Sequence, residues 1–362
     1  MDPIRFVRAG VAAMTGYAPG EQPTPMRHLI KLNTNENPQE PPPRVKKALE
    51  EGMAKIDLRR YPDPSASRVR EVACRVYGHG LTPGQVVVGN GSDDLLTMIM
   101  RTFVEPGECV AAPGPTYTLY EVLAHLQGGR YLEVPWKGDG GLPVAELADL
   151  PAKVVFVVRP NAPTGHVVAL GDVARLCREF KGMVVLDEAY VDFADAHGLG
   201  LLQEYPNLVI IRTFSKSMAM AALRIGLGFM DSRLALEFHK VRDSYNINAF
   251  SQLAARVALE HHADYQPIWS EIRIQRQRLT QALRQRGFAV PDSQANFILA
   301  QVPVRGPDAA WWLTQLQDRD IHVRYFPKDP RLSDKLRITI GRGVEMDRFL
   351  AVVDEILSGS MG

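Results

Sequence analysis

The stretch from 207 to 230 constrains the fold more than any other part of the chain. Its first part, Leu208–Ile211, is short and mostly β-branched, which is typical of a strand buried on both faces of a parallel sheet. A polar turn with Ser215 and Lys216 follows, and Arg224 comes shortly after it. Because ligands of open α/β sheets bind beyond the carboxyl ends of strands, Lys216 is predicted to lie in a ligand site.

Apolar residues surround this lysine in the sequence. Phe214, Met218 and Met220 would exclude water from its amine, and a desolvated lysine has a lowered pKa and greater nucleophilicity. Schiff-base chemistry is the use that these properties suggest. Ser215 and Arg224 could hold a phosphate near the amine. From this segment alone, a surface lysine in a loop is an equally good interpretation.

Predicted strands alternate with helical segments through most of the chain. The strands are at 85–88, 108–112, 131–134, 154–158, 183–186 and 208–211, and helices are predicted at 44–56, 67–77, 95–104 and from residue 117. This alternation predicts an α/β fold in which helices cover both faces of a mostly parallel sheet.

The pattern changes near residue 251, and the chain is long enough for more than one domain. A long helical region at 252–287 precedes strands at 296–300, 322–325 and 336–340 and a helix at 309–318. We therefore predict a large domain at 46–250 and a smaller α+β domain at 251–362. The proline-rich arm at 1–45, with a strand at 28–32, is expected to pack with the smaller domain.

The charge balance and the cysteines argue against several classes of protein. Lys and Arg total 42 and Asp and Glu total 41, so no net charge favours nucleic acid or an acidic membrane surface. The three cysteines lie far apart, which argues against a zinc site or a disulfide framework. No apolar run is long enough to span a bilayer. We predict a cytoplasmic protein without a metal site.

Polar residues follow four of the predicted strands. Gly91, Ser92 and Asp93 follow 85–88, Asn161 follows 154–158, Asp187 and Tyr190 follow 183–186, and Ser215 and Lys216 follow 208–211. A parallel sheet would bring these groups to one edge. The glycine turn before a helix start suits a phosphate, although simple N-capping by Ser92 and Asp93 is the competing interpretation.

Asp187 indicates what kind of ligand this edge would bind. A half-buried carboxylate is unfavourable unless a cation lies beside it, although Asp187 could also cap the segment that follows. A protonated pyridine ring is a suitable cation. Tyr190 and Asn161 could hydrogen-bond a ring oxygen, and Tyr117 offers a face for stacking unless it is a core residue. Together with Lys216 and a phosphate-binding turn, these residues predict a pyridoxal 5'-phosphate site.

The sequence resembles the fold-type I, class II pyridoxal-phosphate aminotransferases over nearly its whole length. The resemblance rests on segments 32–38 (LNTNENP), 60–63 (RYPD), 89–93 (GNGSD), 115–117 (PTY), Asn161 with 163–165 (PTG), 187–190 (DEAY), 213–216 (TFSK), 223–226 (LRIG) and 336–339 (LRIT). It implies that Lys216 binds the cofactor covalently, that Asp187 pairs with the ring nitrogen and that Tyr190 contacts the ring hydroxyl.

The same resemblance implies roles for the remaining site residues. The cofactor phosphate is expected beside Gly91, Ser92, Asp93, Ser215 and Arg224, with Tyr117 and Asn161 near the ring. A homodimer is implied, in which Tyr61 reaches the phosphate bound by the partner subunit. Arg337 would bind the substrate's anion with Arg324 beside it. Tyr17 and Asn35 are also expected to contact the substrate.

Two features depart from the family's pattern. Ala162 stands where an asparagine often contacts the ring oxygen, so either Asn161 makes that contact or the contact is lost. Ala219 and Ala222 stand where glycines are common. The loop that follows Lys216 is therefore expected to be stiffer than usual.

The activity implied is amino-group transfer between an amine and the pair 2-oxoglutarate and glutamate. Histidinol phosphate, aromatic amino acids and related amines are the candidate donors. Two arginines suit a phosphate dianion, but Arg324 could instead pair with Asp329 or another acid. A decarboxylase of a phosphorylated amino acid fits the same residues. A non-catalytic module that binds the cofactor is disfavoured, because the chain lacks a basic DNA-binding segment.

Overall fold

The computed structural model describes residues 1–18, 20–23, 29–138 and 140–359, in which eleven strands form two sheets. The strands are β1 (Ile30–Leu32), β2 (Val86–Gly89), β3 (Cys109–Gly114), β4 (Arg130–Pro135), β5 (Ala152–Val158), β6 (Met183–Asp187), β7 (Leu208–Thr213), β8 (Gly226–Phe229), β9 (Phe297–Gln301), β10 (Ile321–Tyr325) and β11 (Lys335–Thr339). The α-helices are α1 (Ala9–Ala13), α2 (Pro43–Met53), α3 (Ser67–Tyr77), α4 (Ser92–Phe103), α5 (Leu119–Gln127), α6 (Val144–Ala148), α7 (Leu170–Glu179), α8 (Ser232–Val241), α9 (Ala249–Glu260), α10 (Gln266–Gln285), α11 (Ala309–Gln317) and α12 (Gly343–Gly359).

The larger sheet has seven strands in the order β2-β8-β7-β6-β5-β3-β4. Strands β3 to β7 are parallel, and β8 runs antiparallel between β2 and β7. Strands β5, β6 and β7 are rich in Val and Ile, and most of their residues are buried, as expected of strands covered on both faces. The predicted α/β fold with a mostly parallel sheet is confirmed.

Alternate residues of the central strands face two separate apolar layers. Val154, Phe156 and Val158 of β5 belong to a layer with buried residues of α4, α5 and α8. Val155 and Val157 belong to a second layer, with buried residues of α3, α7, α9 and α10. Because successive side chains of a strand point to opposite faces, helices on both faces are needed to bury this sheet.

The smaller sheet has the order β1-β10-β11-β9. Strand β1 is parallel to β10, with Ile30 opposite Ile321, so it joins the C-terminal strands. Strands β10 and β11 are antiparallel, and Arg324 lies opposite Arg337. The domain boundaries at 45 and 250 stay predictions. His28, the predicted start of the first strand, lies outside the described residues.

Most predicted elements lie within a few residues of those observed, but the sequence pattern does not predict strand β8 or helices α1, α6, α7, α8 and α12. Strand β8 contains Gly226 and Gly228, which lack the side chains that indicate a strand. The helical region predicted at 252–287 consists of α9, a 3₁₀ turn at His262–Tyr265 and α10. Within the described ranges, no helix combines the length and the apolar character needed to cross a membrane.

Candidate active site

The carboxyl ends of β5, β6 and β7 form the centre of the candidate site. Asp187 is the last residue of β6, Lys216 follows the end of β7, and Asn161 follows the end of β5. Helix α4 begins at Ser92, just after the turn that leaves β2. The parallel strands thus bring these predicted residues to one edge of the sheet.

Lys216 forms a hydrogen bond with a group that lies far from it in the sequence. Its Nζ donates a hydrogen bond to the backbone carbonyl of Thr34 at 2.9 Å. Desolvation, and next the positive charge of Arg337, lower the pKa of the Lys216 amine to about 8. Part of this amine is therefore neutral near neutral pH, and the neutral form is the nucleophile.

Asp187 is a buried carboxylate held by two hydrogen bonds. Tyr120 donates its hydroxyl to Oδ2 at 2.7 Å, and the backbone N–H of Ala189 donates to Oδ1 at 3.0 Å. Burial raises the pKa of Asp187 to about 6. No Lys, Arg or His within the described residues forms an ion pair with it. The site would therefore be stabilised by a ligand that brings a cation to this carboxylate.

A glycine turn lies between β2 and α4. Gly91 has a φ of +88°, which strains any residue with a Cβ, and a Cβ there would also lie 2.5 Å from Arg224 Nη2, so glycine is favoured. Arg224 donates to Ser215 Oγ at 3.1 Å and to the Asp93 carboxylate at 3.3 Å. The start of α4, a hydroxyl and a guanidinium together form a donor set that suits a phosphate dianion.

Tyr190 and Asn35 form a buried pair. Asn35 Nδ2 donates to the hydroxyl oxygen of Tyr190 at 3.1 Å, while the hydroxyl of Thr339 donates to Asn35 Oδ1 at 3.1 Å. The Tyr190 hydroxyl thus accepts one hydrogen bond and retains its own proton for donation to a ligand. In this structure the amide of Asn35, which was expected to contact substrate, orients Tyr190.

Asn161 is fully buried, and its carboxamide is used within the protein. Its Nδ2 donates to the carbonyl of Pro115 at 3.0 Å and to Thr164 Oγ1 at 2.8 Å. Its Oδ1 accepts from Thr116 at 3.0 Å. Both amide hydrogens are therefore engaged, and the expected contact of Asn161 with a ring oxygen stays a prediction.

The two predicted substrate arginines lie opposite each other on β10 and β11. Arg337 Nη2 donates to the carbonyl of Asn33 at 2.8 Å, and its Nε is buried without a hydrogen-bond partner among the described residues. Arg324 and Arg337 both lie 5.5 Å from the ring centre of Phe326. Asp329, the acid considered for Arg324, pairs with Arg331 at 2.7 Å. Two guanidinium groups this close together would suit an anion.

The remaining predicted residues are three tyrosines in two settings. Tyr117 donates to the Asp93 carboxylate at 3.3 Å, and the ring of Tyr17 packs edge-on against Tyr117 at 5.7 Å. Both therefore border the site. Tyr61 is 79% exposed and stacks on Tyr245. It belongs to the surface of this chain.

Two functional features have no clear signal in the sequence. The backbone carbonyls of Asn33 and Thr34 accept hydrogen bonds from Arg337 and Lys216, and carbonyls carry no residue-specific pattern. Tyr120, the partner of Asp187, is also not indicated, because its apolar neighbours in α5 suggest a core residue. Tyr120 also lies 67 residues before Asp187, so no local pattern indicates the contact.

These residues fit pyridoxal 5'-phosphate. The cation that Asp187 lacks would come from a protonated pyridine ring, and the donors around Gly91 and Arg224 suit the phosphate. The lowered pKa of Lys216 favours covalent attachment of its amine to an aldehyde. Fold and site together define the class predicted from the sequence, that of the pyridoxal-phosphate enzymes.

Comparison with known proteins identifies the family. Residues 27–353 match the family model described as aminotransferase class I and II. A histidinol-phosphate aminotransferase 1 of Trichormus variabilis is 42% identical, covering 93% of this chain and 94% of that protein. A histidinol-phosphate aminotransferase of Microcystis aeruginosa is 41% identical, covering 94% and 95%. The chain therefore belongs to the class I and II aminotransferases, as the resemblance predicts.

A solved structure supports the same fold. The crystal structure of histidinol-phosphate aminotransferase from Sinorhizobium meliloti, in complex with pyridoxal-5'-phosphate, has a TM-score of 0.82 at 26% identity. The match covers 91% of this chain and 92% of that one. The predicted fold class, a large α/β domain with a smaller α+β domain, is confirmed by this likeness.

The loop after Lys216 holds two alanines in different backbone conformations. Ala219 is left-handed, with a φ of 55°, whereas Ala222 lies within a 3₁₀ helix at Ala221–Leu223. The left-handed conformation costs a residue with a Cβ about 1–2 kcal/mol. Ala219, one of the two departures from the glycines common in the family, is therefore a point of backbone strain.

We expect Ala219→Gly to raise the free energy of unfolding by about 1 kcal/mol, because glycine adopts this conformation without a Cβ clash. The matched change Ala222→Gly should lower it by about 0.5–1 kcal/mol, since glycine loses more entropy at a helical position. Urea denaturation of the two variants measures the difference. Changes of the same sign would contradict the different backbone conformations of the two alanines.

Proposed function

We propose that this chain is a pyridoxal 5'-phosphate-dependent aminotransferase that transfers the amino group of histidinol phosphate to 2-oxoglutarate in histidine biosynthesis. In one half-reaction the donor becomes a ketone, and in the other 2-oxoglutarate becomes glutamate. The observation that carries the proposal is the pairing of Arg324 with Arg337 on adjacent strands. The names of relatives that are 41% and 42% identical over nearly the whole chain support this donor.

Residues of both sheets would hold the cofactor and the substrate. Lys216 would bind the cofactor covalently, Asp187 would face the ring nitrogen and Tyr190 the ring hydroxyl. The phosphate would lie among the N–H groups of Gly91–Asp93, Ser215 Oγ and Arg224, with Tyr117 beside the ring. When bound, the cofactor supplies an electron sink that stabilises negative charge on the carbon bearing the substrate's amino group.

Lys216 would also move the proton that the transfer requires. Its Nζ would accept a proton from the substrate carbon that bears the amino group. The pKa of about 8 leaves part of the free amine neutral for this step. The Thr34 carbonyl, 2.9 Å away, gives Nζ an acceptor that orients it.

Borohydride reduction followed by peptide mapping tests the role of Lys216. We expect the reduced cofactor on the peptide that contains Lys216, and none on any lysine in a Lys216→Ala variant. Lys31→Ala is the matched control, because Lys31 also contacts Thr34 but through its side chain. This control should keep the modification. A reduced adduct that persists in Lys216→Ala would place the cofactor elsewhere.

The arginine pair would recognise the phosphate of the donor. Arg337 Nε is buried without an acceptor among the described residues, so an incoming anion would satisfy it. The rings of Phe297 and Phe326 lie 5.3 Å and 5.5 Å from the Arg337 guanidinium, which limits access of water. A phosphate dianion offers acceptors for both guanidinium groups, and the carboxylates of glutamate could use the same pocket.

Substitution of Arg324 tests the donor. Arg324→Ala should lower kcat/KM for histidinol phosphate roughly ten- to a hundred-fold, because a charge-assisted hydrogen bond is worth ~1.5–3 kcal/mol. An unphosphorylated aromatic amino acid should be affected little. Arg348→Ala, which removes an exposed pair with Glu355, is the control and should change neither donor.

Ketone formation from each donor is the measurement for Arg324→Ala. Equal losses with both amines would contradict the phosphate assignment and favour an aromatic aminotransferase. Release of carbon dioxide in place of the ketone would favour a decarboxylase.

We also propose that two copies of this chain form a homodimer in which Tyr61 completes the neighbouring site. Tyr61 is 79% exposed and stacks on Tyr245, with ring centres 4.4 Å apart. Met53 and Leu58 nearby in sequence are 49% and 78% exposed. Exposed apolar and aromatic side chains of this kind favour a protein interface.

Mixing two inactive variants tests the shared site. A dimer of one Lys216→Ala and one Tyr61→Ala subunit would contain one complete site, so the mixture should be more active than the sum of its parts. Mixing Lys216→Ala with Arg224→Ala is the control, because both residues act within one chain and no complete site results. No recovery in the first mixture, or an active monomer by sedimentation, would overturn the proposal.

We place the enzyme in the cytoplasm. Cys74, Cys109 and Cys177 are free thiols, as is usual in a reducing compartment. Cell fractionation would test this, and recovery of the protein from an extracellular or periplasmic fraction would contradict it.

A further inference from the structure

Tyr120 makes the only side-chain hydrogen bond to Asp187 within the described residues. It lies in the first turn of α5, and its side chain is fully buried. Its hydroxyl donates to Asp187 Oδ2 at 2.7 Å. Neither the resemblance nor the sequence pattern gives Tyr120 a role.

Two aromatic contacts fix the Tyr120 ring in place. It stacks on Phe156 of β5 with ring centres 4.4 Å apart and planes 11° from parallel. It also packs edge-on against Tyr117 at 5.6 Å. Because the ring cannot shift without losing these contacts, the hydroxyl is held at one point beside Asp187.

The environment of Asp187 makes this hydrogen bond important for its charge. Burial raises its pKa, and the nearby carboxylates of Asp93 and Glu188 act in the same direction. The hydrogen bonds from Tyr120 and from the Ala189 N–H oppose this rise. Removing either donor would therefore shift the carboxyl toward its neutral form.

Tyr120 is suited to remain a donor. Burial, and next the charge of Asp187, raise the pKa of its phenol well above the ordinary value, with smaller contributions from Tyr117 and Tyr131. Its proton is therefore retained throughout the pH range in which an enzyme works. The hydrogen bond consequently runs from Tyr120 to Asp187, and not in reverse.

We infer that Tyr120 is a positioning residue that keeps the Asp187 carboxylate charged and oriented for the ring nitrogen of the cofactor. The inference rests on the proposed function, in which Asp187 faces that nitrogen. Tyr120 touches Asp187 and not the reacting atoms, so its effect reaches the reaction only through the protonation of the ring.

Tyr120→Phe tests the inference, because it keeps the ring and removes the hydroxyl. With the cofactor labelled by a nitrogen isotope at its ring position, the nuclear magnetic resonance shift of that nitrogen reports its protonation as pH is varied. We expect the labelled nitrogen of Tyr120→Phe to lose its proton at lower pH than in the unaltered holoenzyme. We also expect kcat to fall about ten-fold with little change in KM.

Two further variants separate this effect from a structural one. Tyr265 is also fully buried, and its hydroxyl has no hydrogen-bond partner among the described residues, so Tyr265→Phe is the matched control. It should change neither the nitrogen signal nor kcat. In an Asp187→Asn background, Tyr120→Phe should cause no further loss of kcat, because the carboxylate through which it acts is absent.

The outcomes distinguish this inference from the proposed function. If Asp187→Asn removes the protonated nitrogen signal but Tyr120→Phe leaves it unchanged, the role of Tyr120 is overturned and that of Asp187 stands. A ten-fold loss from Tyr120→Phe in both backgrounds would make it a merely structural residue. If the unaltered protein shows no protonated ring nitrogen, the proposed function itself fails at Asp187.

Discussion

The burial of a carboxylate at the end of β6 is the constraint on which the site depends. An unpaired buried charge is unfavourable, and two adjacent acids meet this cost in different ways. Glu188 is fully neutralised, because Arg212 donates to it at 2.8 Å and the Gly198 N–H at 2.5 Å. Within the part of the chain that the structure describes, Asp187 has only neutral donors. Glu188 thus forms a buried ion pair within the protein, whereas Asp187 stays available for a cationic ligand.

A short backbone segment connects the two sheets at this point. The segment Asn33–Asn37 follows β1 of the smaller sheet, and its carbonyls accept from Lys216 and Arg337. Asn37 also donates to the carbonyl of Lys216. The groups proposed for cofactor and for substrate therefore share one segment, and the buried left-handed Asn35 holds it against Tyr190. A displacement of this segment would affect both ends of the site.

Local sequence patterns predict part of the fold and part of the candidate site. The β-branched runs of β5, β6 and β7 identify buried parallel strands, and the ends of those strands place Asp187 and Lys216 at one edge. The predictions were poorer where the local signal is weak. Strand β8 is glycine-rich, and the carboxamide of Asn161 is directed by Thr116 and Thr164, which the sequence does not reveal.

The sequence by itself determined the α/β class and the family, and it indicated the candidate site residues, because each of these depends on neighbours along the chain. The tertiary structure decided which of these residues meet. Arg324 faces Arg337 only through the register of two antiparallel strands, and Tyr120 reaches Asp187 across 67 residues. Such contacts depend on packing between elements, since a hydrogen bond between distant side chains leaves no periodic pattern in either segment.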